Sequence, residues 1–227
     1  MKVSLIIAAH DEVATIADVV TRGRAALGDE CLEVIVVDDG SKDGTGAAAS
    51  AAGAHVYRLS PNQGKGRALR TGINASRGDW LVFIDADGQD DPGEIPLLLD
   101  VARTHPDVVL VNGSRFIGKL ETGAISGPNL VGNLAFTGLF DLLYGAKITD
   151  TQAGFRAVRG DVARSLVLES TEYEIETEML AKILGQRLRV LEVPVTRRAR
   201  AAGTTDFRRV RNGLRILATI LRRGRPP

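Results

Sequence analysis

Apolar segments alternate with amphipathic segments along the first half of the chain. Short runs rich in Val, Ile and Leu are typical of buried strands, whereas apolar positions three or four residues apart are typical of helices. The runs predict strands at Val3–Ala9, Glu33–Asp38, His55–Leu59, Trp80–Asp85 and Val108–Val111. The segments between them predict helices at Ala14–Leu27, Gly44–Ala52, Lys65–Ala75 and Pro92–Thr104. This alternation indicates an α/β fold with a doubly wound, mostly parallel sheet and helices on both faces.

The pattern changes after Val111. The glycines from Gly113 to Gly127 predict a loop, and the apolar positions that follow predict a helix at Asn129–Tyr144. Beyond it we expect strands at Gly154–Val158 and Leu188–Val193, and helices at Asp161–Leu168, Glu174–Leu184 and Phe207–Arg222. The chain has 227 residues and no evident linker or repeat, so we expect one domain with a full core.

Charge is distributed unevenly along the chain. The formal net charge is +1, yet residues 197–227 contain ten arginines and one acid, Asp206. A basic segment on an acidic body indicates an anionic partner. In the same segment an apolar stripe repeats at helical spacing, formed by Phe207, Val210, Leu214, Leu217 and Leu221. Such a helix either packs its stripe on the core with solvated arginines or lies on an anionic membrane surface.

Composition narrows the class of protein. Cys31 is the only cysteine, so the chain forms no intramolecular disulfide and fits a reducing compartment. The three histidines are scattered without the spacing of zinc ligands. No apolar stretch reaches 18 residues, and the first apolar run is too short for a signal peptide. We therefore expect no transmembrane segment.

The tripeptide Asp85-Ala86-Asp87 carries the clearest chemical signal. It ends the predicted strand Trp80–Asp85, and alternation along a strand places both carboxylates on one side with Ala86 on the other. Two adjacent carboxylates repel each other unless a cation lies between them. Mg²⁺ or Mn²⁺ bridging to a substrate diphosphate would satisfy this demand. The alternative is a solvated, Asp-rich turn before the helix that starts near Pro92.

Three further motifs lie beside strand ends. Asp38 and Asp39 end the second strand, where carboxylates accept hydrogen bonds from a ribose or a base, or cap a helix. Lys65 follows glycine at a helix start, as in phosphate sites, although the spacing is not that of an ATPase P-loop. Arg115 and Arg156 lie near strand termini, where guanidinium groups either clamp phosphate oxygens or pair with nearby acids.

In combination these motifs resemble family-2 glycosyltransferases over nearly the whole chain. The matching segments, in order, are Val3–Glu12, Val36–Thr45, Asn62–Gly72, Asp85–Gln89, Gly113–Arg115 and Asp150–Arg156. The last two, with Tyr173–Leu180 and Val193–Val195, are similar to the dolichol-phosphate (polyprenyl-phosphate) mannose synthase branch. The resemblance implies a glycosyltransferase A-type, Rossmann-like fold, a nucleotide-sugar donor, inversion at the anomeric carbon and a lipid-phosphate acceptor.

The resemblance also implies roles for individual residues. The expected ligands of Mg²⁺ or Mn²⁺ are Asp85, Asp87 and Gln89. The expected nucleotide-sugar site comprises Ala9, His10, Glu12, Asp39, Lys65, Asp85, Ala86, Asp87 and Arg115. The expected catalytic residues are Asp87, Arg115, Asp150 and Arg156, and the expected acceptor-phosphate ligands are Arg156, Arg198 and Arg200. On this basis residues 1–111 form a nucleotide-binding half, residues 112–206 an acceptor half and residues 207–227 a basic amphipathic helix.

The expected reaction is transfer of a hexose, mannose first among them, from a donor such as GDP-mannose to polyprenyl or dolichyl phosphate. The expected location is the cytoplasm, with peripheral attachment to the anionic cytoplasmic face of the membrane and no nucleic-acid partner. Two alternatives stay open: transfer to a soluble hydroxyl acceptor, with Asp150 or Glu178 as the base, and a nucleotide-binding module without turnover. The chain departs from the family at Ala8, His10 and Asp11, which leaves open whether the base of the donor is guanine or uracil. It also departs at Asp206, where the family has lysine.

Overall fold

A sheet of seven strands runs through the described part of the chain. The computed structural model describes residues 1–199 and 209–223. The strands are β1 (Val3–Ala9), β2 (Cys31–Asp38), β3 (His55–Arg58), β4 (Trp80–Asp85), β5 (Val108–Leu120), β6 (Arg156–Arg159) and β7 (Arg189–Arg197). Their order is β3-β2-β1-β4-β6-β5-β7, with β6 antiparallel to both neighbours and the remaining pairs parallel. The predicted doubly wound, mostly parallel sheet is confirmed.

Helices cover both faces of this sheet. They are α1 (Ile16–Leu27), α2 (Thr45–Ala51), α3 (Lys65–Ala75), α4 (Ile95–Thr104), α5 (Gly127–Tyr144), α6 (Gly160–Ser165), α7 (Ile175–Gly185) and α8 (Arg209–Arg223). Alternation along β1 separates the two layers of the core, because Leu5 and Ile7 pack with α1, α2 and α4, whereas Ile6 packs with α3 and α5 to α8. Most helices and strands begin and end within a few residues of their predicted limits.

Three parallel strands bring their carboxyl ends to one edge of the sheet. β1 lies between β2 and β4, and its register pairs Ala8 with Asp85 and Ala9 with Asp38. In doubly wound sheets, ligands bind at this edge where the chain direction of successive crossovers reverses. The motifs that end the first, second and fourth strands in the sequence therefore meet in the folded chain.

The predicted loop from Gly113 to Gly127 is wrong over its first half. β5 continues to Leu120 and pairs with β7, which itself extends to Arg197. The glycines allow the two backbones to approach closely, because a Cβ atom at Gly118 would lie 2.0 Å from the carbonyl oxygen of Val195. Glycine here marks close strand packing and not a turn.

α8 exists as predicted, but the opposite side of it packs on the core. Asn212, Ile216 and Ile220 are buried, whereas the predicted apolar stripe is exposed at Val210, Leu214 and Leu221. The alternative in which this stripe packs on the core is therefore wrong for the described residues. Phe207 lies outside them. Among the helices that the structure describes, none is both long and apolar enough to cross a membrane.

Candidate active site

A cluster of acidic side chains lies at the carboxyl end of β4. Asp85 ends the strand, and the turn after it buries Asp87, Gln89 and Asp90. Ala86 is buried in the apolar core below α1 and α4. The two carboxylates of the tripeptide thus face away from Ala86, as the strand pattern predicts, and both lie within reach of one guanidinium group.

That guanidinium belongs to Arg197, the last residue of β7. Its Nη1 lies 2.9 Å from Asp90 Oδ2 and 3.7 Å from Asp85 Oδ2. Its Nη2 donates to Gln89 Oε1 at 2.9 Å and to Asp87 Oδ2 at 3.3 Å. The sequence motifs gave Arg197 no role of its own in this cluster, because its partners are more than 100 residues away in the chain.

Lys65 contacts the cluster from the other side. Its Nζ lies 2.7 Å from Asp85 Oδ1 and 2.8 Å from Glu176 Oε1. Burial alone would raise the pKa of the Asp85 carboxyl, but the charges of Lys65 and Arg197 hold this pKa well below its usual value. The resemblance covered Glu176 within the segment Tyr173–Leu180 but gave it no role. The sequence did contain a signal for it, because Glu176 is an acid among the apolar core positions of α7.

The pKa of Asp90 is affected by the negative charges around it. Burial, together with the charges of Asp85 and Asp87, raises its pKa to about 6, although Arg197 acts in the opposite direction. Negative charge from Asp85 and Asp87 therefore adds to the effect of burial at Asp90.

The predicted nucleotide residues of the first two strands lie at the same edge. Ala9 ends β1, His10 follows it within 3.6 Å of the Asp11 carboxylate, and the Glu12 amide donates to Thr45 Oγ1. The carboxylate of Asp39 accepts the backbone N–H groups of Gln63 and Gly64 at 2.7 and 2.8 Å. It thereby fixes the loop that leads into α3 and positions Lys65.

Arg115 and Asp150 form a two-pronged ion pair beside this edge. Arg115 Nε donates to Asp150 Oδ2 at 2.6 Å, and its Nη2 donates to Oδ1 at 2.7 Å. Asp150 is fully buried, and its charge raises the pKa of Arg115 against the effect of burial. Both oxygens of Asp150 are occupied by this donor, which argues against its use as a general base in this conformation.

Two predicted residues occupy different positions from those expected. Arg156 is 2% exposed, and its guanidinium donates to the main-chain carbonyls of Ala153 and Glu176. Burial lowers its pKa, and it supports the wall under the site without presenting donors to an acceptor phosphate. Glu178, the second candidate base, is fully buried and accepts the backbone N–H groups of Glu169 and Ser170.

The remaining predicted residues lie around the segment that follows β7. The amide of Gln89 donates to the carbonyl oxygens of Ala124 and Arg198, at 3.3 and 2.8 Å. The guanidinium of Arg198 pairs with Asp91, which also pairs with Arg22. Arg200 lies outside the described residues, as do residues 203–206.

The chemistry of this cluster fits a divalent metal ion. The described residues contain no ready-made cage of three or more metal-ligating side chains. The carboxylates of Asp85, Asp87, Asp90 and Glu176 nevertheless lie together, and among the described side chains they form ion pairs with Lys65 and Arg197. Mg²⁺ or Mn²⁺ takes one or two carboxylates together with substrate phosphates, so neighbouring acids of this kind suit such an ion.

The sheet order and the acidic cluster at its edge define a Rossmann-like fold of the glycosyltransferase A type. Residues 4–166 match the family described as Glycosyl transferase family 2, and the chain belongs to this family. The predicted resemblance is thus confirmed, and the protein is a glycosyltransferase.

Several curated relatives act on lipid phosphates according to their names. An undecaprenyl-phosphate mannosyltransferase of Micrococcus luteus is 33% identical over 86% of this chain and 83% of its own length. A dolichol-phosphate mannosyltransferase of Pyrococcus furiosus is 31% identical over 92% of this chain and 60% of its own length. Glycosyltransferase AglJ of Haloferax volcanii, whose name states no acceptor, is 31% identical over 95% of this chain and 70% of its own length.

A solved structure with a different acceptor has the same fold. Glucosyl-3-phosphoglycerate synthase from Mycobacterium tuberculosis superposes with a TM-score of 0.79 at 26% identity, covering 100% of this chain and 81% of that one. Its crystals contain Mn²⁺, uridine diphosphate and glucosyl-3-phosphoglycerate. Proteins of this fold therefore include both lipid-phosphate transferases and a transferase whose product is a small organic phosphate.

Proposed function

We propose that this protein transfers a hexose, mannose first among the candidates, from a nucleoside-diphosphate sugar to a polyprenyl phosphate, with inversion at the anomeric carbon. The observation that carries the proposal is the acidic cluster of Asp85, Asp87 and Asp90 at the edge where β1, β2 and β4 end. Lipid-phosphate mannosyltransferases at about 30% identity over most of the chain support the acceptor class.

Donor binding is assigned to the edge formed by the first half. Asp85 and Asp87, with Gln89, would hold Mg²⁺ or Mn²⁺, which when bound neutralises charge that builds up on the leaving diphosphate. The nucleotide would lie against Ala9, His10, Glu12, Asp39, Lys65 and Ala86. Lys65 already places a positive charge beside Asp85 and would face the diphosphate at the start of α3.

Acceptor binding is assigned to the second half. A lipid phosphate is largely ionised at neutral pH, so it needs orientation by cations more than a general base. Arg115 is held in a fixed orientation by Asp150, and we assign it to the phosphates of both donor and acceptor. Arg198 and Arg200 are assigned to the same phosphate, and Arg156 supports the wall behind it.

A membrane surface is the proposed location of the acceptor. α8 carries five arginines and no acid, and its Val210 is 78% exposed. The neighbouring α5 exposes a second apolar stripe, in which Leu142 is 80% exposed, and it contacts α8 where Phe136 meets Gly213. Exposed apolar residues beside arginines fit an anionic lipid surface, so we assign the protein to the cytoplasmic face of the membrane as a peripheral protein.

The second candidate is transfer to a soluble acceptor. The glucosyl-3-phosphoglycerate synthase structure favours it, because that neighbour covers the whole chain. Such an acceptor would react through a hydroxyl and would require a base. The positions of Asp150 and Glu178 disfavour both candidate bases, since their carboxylates are engaged by Arg115 and by backbone N–H groups.

The test is transfer of radiolabelled hexose in a matrix of donors and acceptors. GDP-mannose and UDP-glucose are each offered with a polyprenyl phosphate or with 3-phosphoglycerate, in Mn²⁺ and in excess EDTA. We expect product with the lipid phosphate, loss of product in EDTA, and loss of turnover in Asp87→Asn with a nearly unchanged thermal unfolding curve. Product with 3-phosphoglycerate alone supports the soluble-acceptor function, full activity in EDTA contradicts the metal assignment, and no transfer to any acceptor supports a module without turnover.

A further inference from the structure

We propose that Arg197 is a built-in counter-ion of the acidic cluster and competes with the divalent metal ion for it. On this view the metal does not enter a preformed cage but takes Asp85, Asp87 and Gln89 from a guanidinium group that already neutralises them. The inference rests on the proposed metal-dependent function, and it adds a residue that lowers metal affinity.

Arg197 makes several contacts with the cluster, and they differ in strength. Arg197 is 9% exposed and lies within 4 Å of all three aspartates of the cluster and of the Gln89 amide oxygen. The distances to Asp85 and Asp87, 3.7 and 3.3 Å, exceed the 2.7–2.9 Å typical of strong charge-assisted hydrogen bonds. The two expected metal ligands on the aspartate tripeptide are therefore held by charge more than by close hydrogen bonds, so a better cation can take them.

The guanidinium of Arg197 does not have all of its hydrogen bonds satisfied. Within the residues that the structure describes, its buried Nε has no hydrogen-bond acceptor. A buried donor without an acceptor costs free energy, which makes the present arrangement easier to exchange than a fully bonded one.

Arg197 also offsets part of the negative charge of the cluster. It forms ion pairs with Asp85, Asp87 and Asp90, and its removal would leave these three carboxylates with one cation fewer. Arg197 thus stabilises the folded cluster when no metal is bound, and its positive charge repels an incoming metal ion. One residue produces both effects, so they must change together on mutation.

Replacement of Arg197 by a metal ion at the cluster would also affect the chain after β7. The backbone N–H of Arg198 donates to the Gln89 carbonyl at 2.7 Å, and the Gln89 amide donates back to the Arg198 carbonyl at 2.8 Å. A shift of Arg197 away from Gln89 would therefore displace the segment that carries Arg198. Metal binding and the acceptor side of the site are connected through these two residues.

The experiment measures Mn²⁺ binding directly. Calorimetric titrations with MnCl₂, in the presence of UDP and in separate runs of GDP, compare wild type with Arg197→Gln and Arg197→Lys. Arg189→Gln is the matched control, because Arg189 lies on the same strand and pairs with Asp107 at an exposed position. We expect Arg197→Gln to bind Mn²⁺ about tenfold more tightly than wild type, the size of an ordinary coupling between two sites, with Arg197→Lys in between and the control unchanged.

Thermal unfolding supplies the second measurement. In EDTA we expect Arg197→Gln to unfold at a lower temperature than wild type, and saturating Mn²⁺ to raise its unfolding temperature by more than it raises that of wild type. If Arg197→Gln does not fold, Arg197→Lys decides, since an ammonium group cannot reach four partners at once. Equal or weaker Mn²⁺ binding by the variants overturns the inference and leaves the proposed function standing, whereas failure of wild type to bind Mn²⁺ with either nucleotide overturns both.

Discussion

Arg115 and Arg156 have the same predicted role but different environments in the folded chain. Arg115 meets a buried carboxylate with both prongs of its guanidinium, whereas Arg156 points into the protein and bonds to main-chain carbonyls. The sequence placed both near the ends of predicted strands, so predicted strand position alone could not separate them. The distinction depends on what faces each side chain across the sheet, and that follows from tertiary packing.

Replacement of Arg115 by Lys tests the orientation of its guanidinium. Lys keeps the charge but cannot bond to both oxygens of Asp150, so the group is no longer fixed beside the acceptor. We expect kcat/KM for hexose transfer to fall by a factor that corresponds to about 1.5–3 kcal/mol, the worth of hydrogen bonds to charged groups. Arg159→Lys is the control, because Arg159 pairs with Asp161 at an exposed position. Unchanged kcat/KM in Arg115→Lys would show that Arg115 has only a structural role.

At the scale of elements, the sequence predicted the first half well and the second half less well. The first strands are continuous apolar runs that end in acids, so both their positions and their chemical ends can be read from the pattern. β5 could not be bounded in this way, because Gly113 and Gly118 read as loop residues until the close approach of β7 is known. α8 is apolar at Val210 and Leu214 as well as at Ile216 and Ile220, so periodicity alone could not tell which side packs.

The contact between α7 and the loop before it predicts a pH-dependent stability. Burial alone would raise the pKa of Glu178, but the N–H groups of Ser170 and Glu169, together with Lys182, lower it below its usual value. A lowered pKa in the folded state means that the carboxylate stabilises the protein above its unfolded pKa of about 4.3 and loses this effect as pH falls through the folded value.

Glu178→Gln removes this pH-dependent term. At pH 7 we expect the free energy of unfolding to fall by about 1–3 kcal/mol, because the glutamine carries no charge and accepts fewer N–H groups. The difference from wild type should shrink as the pH is lowered below about 4, measured by urea unfolding. Asp100→Asn, at an exposed ion pair with Arg103, serves as the control and should change stability little at either pH. A difference that stays constant between pH 7 and pH 3 would contradict the role given to the Glu178 charge.

At the scale of the whole molecule, the site combines groups that lie far apart in the chain. The sequence predicted the acids of the cluster, Lys65 and the edge of the sheet on which they meet, because the carboxyl ends of parallel strands lie at the same edge. It could not predict the positions of the cation Arg197 and the buried Glu176, because these depend on β7 pairing with β5 and on the loop before α7 bonding to the start of α3. Local pattern thus predicts which edge carries the chemistry, and long-range packing determines how its charges are balanced.

The arrangement of α5 and α8 determines how the proposed attachment to a membrane surface can be tested. Deletion of the C-terminal helix is a poor test, because Ile216 and Ile220 belong to the core and their loss would disturb the fold. Substitutions confined to the exposed side avoid this problem. Val210 and Leu214 are available on α8, and Leu142 on α5, while Leu97 on α4 offers an exposed leucine at the other face of the sheet.

We expect wild type to co-sediment with vesicles that contain anionic phosphatidylglycerol at low salt, and to be released at high salt. Each arginine near such a surface contributes roughly 1 kcal/mol, so Arg211→Glu with Arg222→Glu should abolish sedimentation. Val210→Ser with Leu214→Ser, and Leu142→Ser alone, should weaken it at every salt concentration, because they remove apolar area without changing charge. Leu97→Ser should sediment like wild type, since α4 lies on the other face of the sheet. If wild type stays in the supernatant at low salt, or if the α5 and α8 variants bind as well as Leu97→Ser, peripheral attachment through these helices is wrong and the soluble-acceptor function gains support.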